Sequence, residues 1–319
     1  MKTFTNPLST NNFSDPYITF DKETGFYYFI ASCQNNDLII YRNTHISDIL
    51  KDGDCKVVYS CGKDTIFGPM WAPEMYKIDG RWYIYTSHQE KYNENTFAER
   101  KHLLILKSKT SDPFDGFEFA SKPDMESFAI DPTVGFINGK QYICYSLVDS
   151  TGTQVLEIRE MNSPVSFTDK KAVIARPYYD WEKAEGYDKY SINEGAFFLN
   201  KGNRTYIIYS ANGCWSDDYC LGLLEYQGGE VCDPKNWVKY PKPLFVKGNG
   251  VYGVGHASFF HSPDGKETWC AYHCLPHSNP ERKEMVRYSC VQKISFDKED
   301  FPVFCEPAGS KTIDAPSGE

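Results

Sequence analysis

Residues 191–210 read Ser-Ile-Asn-Glu-Gly-Ala-Phe-Phe-Leu-Asn-Lys-Gly-Asn-Arg-Thr-Tyr-Ile-Ile-Tyr-Ser. An acid, Glu194, stands before an apolar run, Lys201-Gly202 marks a turn, and a second run ends in a serine. Short runs rich in aromatic and β-branched residues suit a pleated surface, and the glycine supplies the φ > 0 that a tight hairpin needs. The runs are too short and too aromatic to read as buried helix.

The unit recurs. Thr24-Gly25 precedes Phe26–Ser32, Asp79-Gly80 precedes Arg81–Ser87, Asn138-Gly139 precedes Lys140–Ser146, and Asp264-Gly265 precedes Lys266–Cys274. With Tyr28, Tyr83, Tyr142, Tyr206 and Cys270 as markers, the steps are 55, 59, 64 and 64 residues. A period of about 40–60 residues with several strands per repeat is the mark of propeller blades. Five units in 319 residues predict an all-β, five-bladed β-propeller, one domain over residues 1–319 with a loosely packed tail after about residue 307.

A polar residue precedes each hairpin by about one strand: Asp15, Glu74, Asp131, Glu194 and His256. The first strands of propeller blades line the central axis and enter from the same end. Equivalent positions therefore converge on one mouth of the channel. Any one of these acids alone reads as a solvated loop carboxylate or a strand-end cap. Four acids in phase with a five-fold repeat read as a site. Pro16, after Asp15, predicts extended backbone there and the start of a strand.

Composition excludes several classes of function. Net charge is −9 and there is no basic run, so nucleic acid and anionic membranes are unsuited partners. No stretch is long enough to span a bilayer, and residues 1–12 lack a secretory leader's apolar segment. Eleven cysteines without framework spacing read as reduced thiols, mostly small buried hydrophobes. Together these features predict a cytoplasmic protein. The aromatic-rich segment 177–190, with Tyr178, Tyr179, Trp181, Tyr187 and Tyr190, is either a sugar platform or a loop packed on the propeller.

Two carboxyls facing across a cleft can split a glycosidic bond, one protonated to donate to the leaving oxygen and one ionised to activate water. A third carboxylate nearby would raise the acid's pKa by like-charge repulsion. Asp15, Asp131 and Glu194 can supply this set, with Glu74 a fourth acid and Arg287 a candidate to neutralise part of the charge. His256 can be a core histidine, a sugar contact or a metal ligand, but one histidine cannot by itself satisfy a hard cation that wants about six to eight oxygens.

At these residues the chain resembles glycoside hydrolase family 43. The matching stretches are Ser14-Asp15-Pro16, Trp71-Ala72-Pro73-Glu74, Ile130-Asp131-Pro132-Thr133, Asn193-Glu194-Gly195 and Gly255-His256-Ala257-Ser258. The resemblance implies an inverting glycosidase with Asp15 as general base, Glu194 as general acid and Asp131 as the residue that modulates and orients the acid. It implies that Arg287 contacts that third carboxylate. Trp71 would line the sugar pocket, and Asn193, Arg287 and Glu74 would complete the substrate side, with Glu74 largely structural. No cofactor is required; a structural Ca²⁺ at the propeller centre would be held through water beside His256.

The same motifs, with Tyr179-Asp180-Trp181-Glu182, Gly222-Leu223-Leu224 and Val251-Tyr252-Gly253, resemble the exo-acting α-L-arabinofuranosidase branch. The partner implied is an arabinose- or xylose-containing oligosaccharide. A β-xylosidase or endo-arabinanase is the alternative within the family. A non-catalytic carbohydrate-binding propeller is the alternative outside enzymes, and the intact set of three acids argues against it. A WD-type scaffold would need the Trp-Asp repeats this chain lacks.

Overall fold

The computed structural model describes residues 2–32, 35–62, 67–89, 101–125, 128–184, 191–283 and 285–319. Five four-stranded antiparallel sheets follow one another along the chain. Blade one is β2 (Tyr17–Asp21), β3 (Phe26–Ile30), β4 (Asp37–Asn43) and β5 (Asp54–Ser60), after the short β1 (Thr3–Thr5). Blade two is β6 (Phe67–Ile78), β7 (Arg81–Gln89), β8 (Lys101–Ser108) and β9 (Phe117–Ser121). Blade three is β10 (Ala129–Ile137), β11 (Lys140–Val148), β12 (Gln154–Ser163) and β13 (Ser166–Ala175). Blade four is β14 (Asn193–Lys201), β15 (Arg204–Ala211), β16 (Cys220–Tyr226) and β17 (Trp237–Lys239). Blade five is β18 (Tyr252–His261), β19 (Thr268–Leu275), β20 (Tyr288–Phe296) and β21 (Pro302–Val303), followed by β22 (Thr312–Asp314). The predicted five-bladed propeller is what the chain forms.

The hydrophobic core lies between the blades. Tyr28 of blade one meets Trp82 of blade two edge-on at 5.6 Å, and Tyr27 meets Phe260 of blade five at 5.8 Å. Between blades three and four, Cys144, Leu156, Ile207, Tyr209 and Leu224 form one buried cluster. Full burial of side chains of this size stabilises by roughly 1.5–3 kcal/mol each, so the aromatic content serves mainly to hold the blades together.

The two ends close the ring. β1 pairs with β22 in register Thr3 to Asp314, and Phe4, Ile313 and Ala315 pack on the cluster shared by blades one and five. The lead-in then runs along β20: Asn6 exchanges hydrogen bonds with both backbone groups of Val291, at 2.8 and 2.9 Å. The tail after residue 307 is therefore not loose. Ile313 and Ala315 have a surface to cover, and the Glu319 carboxylate accepts from Ile46 N at 3.0 Å.

Candidate active site

Each inner strand begins with a bulge, and the bulges build the mouth. Trp71 pairs with Ser87 but Glu74 with Tyr85; Ile130 pairs with Ser146 but Thr133 with Cys144. Glu194 pairs with Ser210 but Phe197 with Ile208, and Gly255 with His273 but Ser258 with Ala271. In blade one, Ser32 N bonds to Ser14 O just before β2. One residue per bulge has positive φ: Asp15 (57°), Ala72 (44°), Asp131 (55°), Gly195 (52°) and His256 (49°). Asp15 is thus not in the extended conformation that Pro16 suggested. The bulge turns these residues, and the one before each, toward the channel.

A cavity of about 480 Å³ lies at this mouth, lined among others by Asp15, Trp71, Asp131, Glu194, His256 and Arg287. The structure brings these six sequence-predicted residues together. A larger cavity of about 580 Å³ between the C-terminal segment and blade five shares none of its lining and holds none of the three acids.

Asp15 is biased toward the ionised state. Burial opposes ionisation, but His256, Arg287 and His273 outweigh it and hold the carboxyl well below the usual range. Arg287 Nη1 lies 3.4 Å from Oδ1, His256 Nδ1 3.3 Å and His273 Nδ1 3.2 Å. Ser32 Oγ donates to Oδ2 at 2.5 Å. Burial also lowers both imidazoles, His273 to about 4, so near pH 7 Arg287 is the cation that remains.

Glu194 and Asp131 are biased the other way. Burial raises Glu194, with the Asp15 charge adding to it, while hydrogen bonds from Tyr219 and Gln154 partly oppose the rise. Burial, then Glu194, then Asp15 raise Asp131 well above the carboxylate range, against one backbone bond from Gly195 N at 3.1 Å. Two buried carboxyls facing each other cannot both ionise cheaply, so the pair titrates as a unit. One cavity therefore holds an ionised carboxylate and a pair that retains a proton.

Three expectations need correction. Glu74 is not at the mouth. It lies two residues past the bulge, buried, accepting from Tyr76 OH, whose oxygen is 2.9 Å from Thr133 Oγ1. Burial pushes it up to about 8, so it is a core acid between blades two and three. Asn193 does not face the cavity either. It is fully buried, donating to Glu182 Oε1 at 2.9 Å and accepting from Lys239 Nζ at 2.9 Å. Arg287 pairs with Asp15 rather than with the third carboxylate. Among the described residues, no three His, Cys, Asp or Glu side chains are grouped to hold a metal. His256 Nδ1 already faces Asp15, so an ion there would find no protein oxygen cage and would depend on water.

The aromatic segment divides. Tyr187 and Tyr190 lie outside the described residues. Tyr178 and Tyr179 lie over Lys239, at 4.9 and 5.9 Å, Trp181 stacks on Tyr209, and Trp181 Nε1 bonds to Pro241 O at 3.0 Å. These three pack on the propeller around the buried Glu182–Lys239 ion pair, and none lines the carboxylate cavity.

Sequence reasoning missed the partners of the acid. Gln154 Nε2 donates to Glu194 Oε2 at 2.8 Å and Tyr219 OH to Oε1 at 2.9 Å. Gln154 opens β12, Tyr219 immediately precedes β16, and Arg287 immediately precedes β20. In an antiparallel blade the third strand starts at the same end as the first, so the repeat itself pointed to these positions. The polar residues that end the second strands also have a role: they bolt blade to blade. Ser32 Oγ accepts from Ala72 N at 2.7 Å, Ser146 Oγ donates to Asn193 O at 2.8 Å, and Ser210 Oγ accepts from His256 N at 2.7 Å. Cys214 also lines the cavity, but burial raises its thiol to about 12, which makes it a poor nucleophile.

The model of glycosyl hydrolases family 43 matches residues 4–302. The chain is 28% identical to an extracellular exo-α-(1→5)-L-arabinofuranosidase of Streptomyces avermitilis, over 96% of this chain and 64% of that protein, so it spans less than two thirds of that relative. It is 29% identical to an enzyme of the same name from Streptomyces chartreusis, over 85% of this chain and 82% of that one. An α-L-arabinofuranosidase structure from Lactobacillus brevis superposes with TM-score 0.87 at 25% identity, covering 97% of this chain and 98% of the other. The two Streptomyces relatives are named extracellular, which overturns the cytoplasmic location expected from composition. Matched over nearly its whole length, this chain belongs to glycosyl hydrolase family 43.

Proposed function

We propose that the protein releases terminal α-L-arabinofuranosyl residues from arabinan or arabino-oligosaccharides by a single displacement with inversion. The observation that carries this reading is the opposite bias of Asp15 and Glu194 within one cavity. Asp15, ionised beside Arg287, takes a proton from water as its oxygen attacks the anomeric carbon. Glu194 gives its proton to the glycosidic oxygen as the carbon–oxygen bond breaks. The products are a free sugar of inverted anomeric configuration and a shortened alcohol. Asp15 then holds the extra proton and Glu194 lacks one, and exchange with solvent resets both. Asp131 keeps the proton-holding pair raised through like-charge repulsion. Trp71, with Lys101 Nζ 3.9 Å from its ring centre, lines the cavity wall where the sugar would bind.

The choice of sugar rests on the relatives' names, and hydrolysis of an aryl α-L-arabinofuranoside against an aryl β-D-xylopyranoside tests it. Strong preference for the arabinoside, lost in Asp15→Asn, supports the reading. Preference for the xyloside would reassign the protein as a β-xylosidase. Activity on neither, with cleavage of polymeric arabinan, would make it an endo-enzyme.

A further inference from the structure

Tyr219 joins the two catalytic carboxylates. Its hydroxyl donates to Glu194 Oε1 at 2.9 Å, and its ring stacks on His273 with centroids 5.3 Å apart and planes 5° apart. His273 Nδ1 in turn lies 3.2 Å from both Asp15 Oδ1 and Asp15 N. Tyr219 is fully buried, and glycine at 255 makes room for it: a Cβ there would sit 2.3 Å from the Tyr219 ring. Ser210, whose Oγ accepts from His256 N at 2.7 Å, lies near the same hydroxyl and offers it a second acceptor when it turns from Glu194.

The two partners of Glu194 are not equivalent. The amide nitrogen of Gln154 can only donate, so Oε2 accepts in either protonation state. A hydroxyl both donates and accepts, so the transferable proton belongs on Oε1, the Tyr219 side. We propose that Tyr219 is a positioning residue for the acid step, reversing its hydrogen bond to Glu194 as the proton departs. With Glu194 protonated, Oε1–H is held by the Tyr219 oxygen and the Tyr219 hydrogen turns to Ser210. As the proton passes from Oε1 to the glycosidic oxygen, the Tyr219 hydrogen swings to Oε1. The new carboxylate then has two donors. Tyr219 keeps its own proton throughout, and the stacked ring holds the acid in place relative to the base.

The inference rests on Glu194 being the general acid. The experiment compares wild type, Tyr219→Phe and Glu194→Ala on aryl α-L-arabinofuranosides graded from good to poor leaving groups, with melting temperature recorded. Tyr219→Phe keeps the ring stack and removes the hydroxyl. Its kcat is expected to fall about ten-fold or more on the poorest leaving group, part of the 10²–10⁴ that general acid catalysis supplies, with little loss on the best. KM should be nearly unchanged. A loss equal across all leaving groups, or no loss, overturns the inference. If Glu194→Ala is itself insensitive to the leaving group, the acid assignment fails first; if it is sensitive and Tyr219→Phe is not, only the Tyr219 role fails. If Tyr219→Phe is unstable, 3,5-difluorotyrosine at position 219 keeps the fold and strengthens the donor. It should alter the rate on poor leaving groups alone, and an unchanged rate there overturns the proposal.

Discussion

Gly195 donates its backbone N–H to Asp131 Oδ2 at 3.1 Å, which ties the carboxylate of blade three to the residue that follows Glu194. The link explains how one group can both orient and tune another. Asp131 holds the turn that presents Glu194, and the Glu194 charge disfavours ionisation of Asp131; electrostatic coupling is reciprocal, so an ionised Asp131 disfavours ionisation of Glu194. Replacing Asp131 by Asn keeps an acceptor for Gly195 but removes the charge. Glu194 should then ionise more readily, and the alkaline limb of kcat/KM against pH should move to lower pH. A limb that stays put would place the tuning elsewhere.

Arg287 is the lasting positive charge beside Asp15. The base must be ionised to accept a proton from water, so activity that depends on it is present above its pKa and lost below. Arg287→Met removes a cause of the depression, and the acidic limb of kcat/KM should move to higher pH. The stability that the depressed Asp15 contributes should likewise be smaller, with its loss complete at a higher pH during acid unfolding. A pH–rate profile of the variant checks the first and acid titration followed by circular dichroism the second.

Glu74 predicts the opposite stability dependence. Its folded pKa is about 8 against an ordinary 4.5, so its contribution is fully present below about 4.5 and lost as pH rises through about 8. Glu74→Gln keeps an acceptor for Tyr76 and cannot ionise. Denaturant unfolding at pH 5 and pH 9 should show a smaller fall for the variant than for wild type, by on the order of a few kcal/mol. Equal falls would mean that Glu74 is solvated when ionised.

Lys239 is nearly buried against the fully buried Glu182, which also accepts from Tyr209 OH and from the backbone of Tyr178 and Tyr179. Removing one partner of such a pair leaves an uncompensated charge. Lys239→Met should cost about 3–5 kcal/mol, and Lys239→Met with Glu182→Gln should recover much of it. Denaturant unfolding of the single and double variants measures both.

Much of this architecture was legible in the sequence because propeller blades repeat. The Asn-Gly and Asp-Gly turns and aromatic runs marked the hairpins, and their phase brought Asp15, Asp131, Glu194 and His256 to one mouth. Glu74 was misplaced because strand lengths differ between blades, so offsets from the hairpin tyrosines are inexact. Aligning Asp15-Pro16, Ala72-Pro73 and Asp131-Pro132 would have placed Ala72, not Glu74, in phase. Asn193 immediately precedes the acid, but strand alternation sends its side chain to the opposite face, onto Glu182 and Lys239. Gln154 and Tyr219 carry no local motif; only the rule that third strands start at the mouth reveals them. The strand pairing of the chain ends joins residues about three hundred positions apart and has no periodic signal at all.

The anomeric configuration of the first-formed sugar tests the central claim most directly. Proton NMR during hydrolysis of an aryl α-L-arabinofuranoside should show β-L-arabinose before mutarotation, as direct attack by water activated at Asp15 requires. α-L-arabinose as the first product would mean a covalent intermediate and would contradict the assignment of Asp15 as the base.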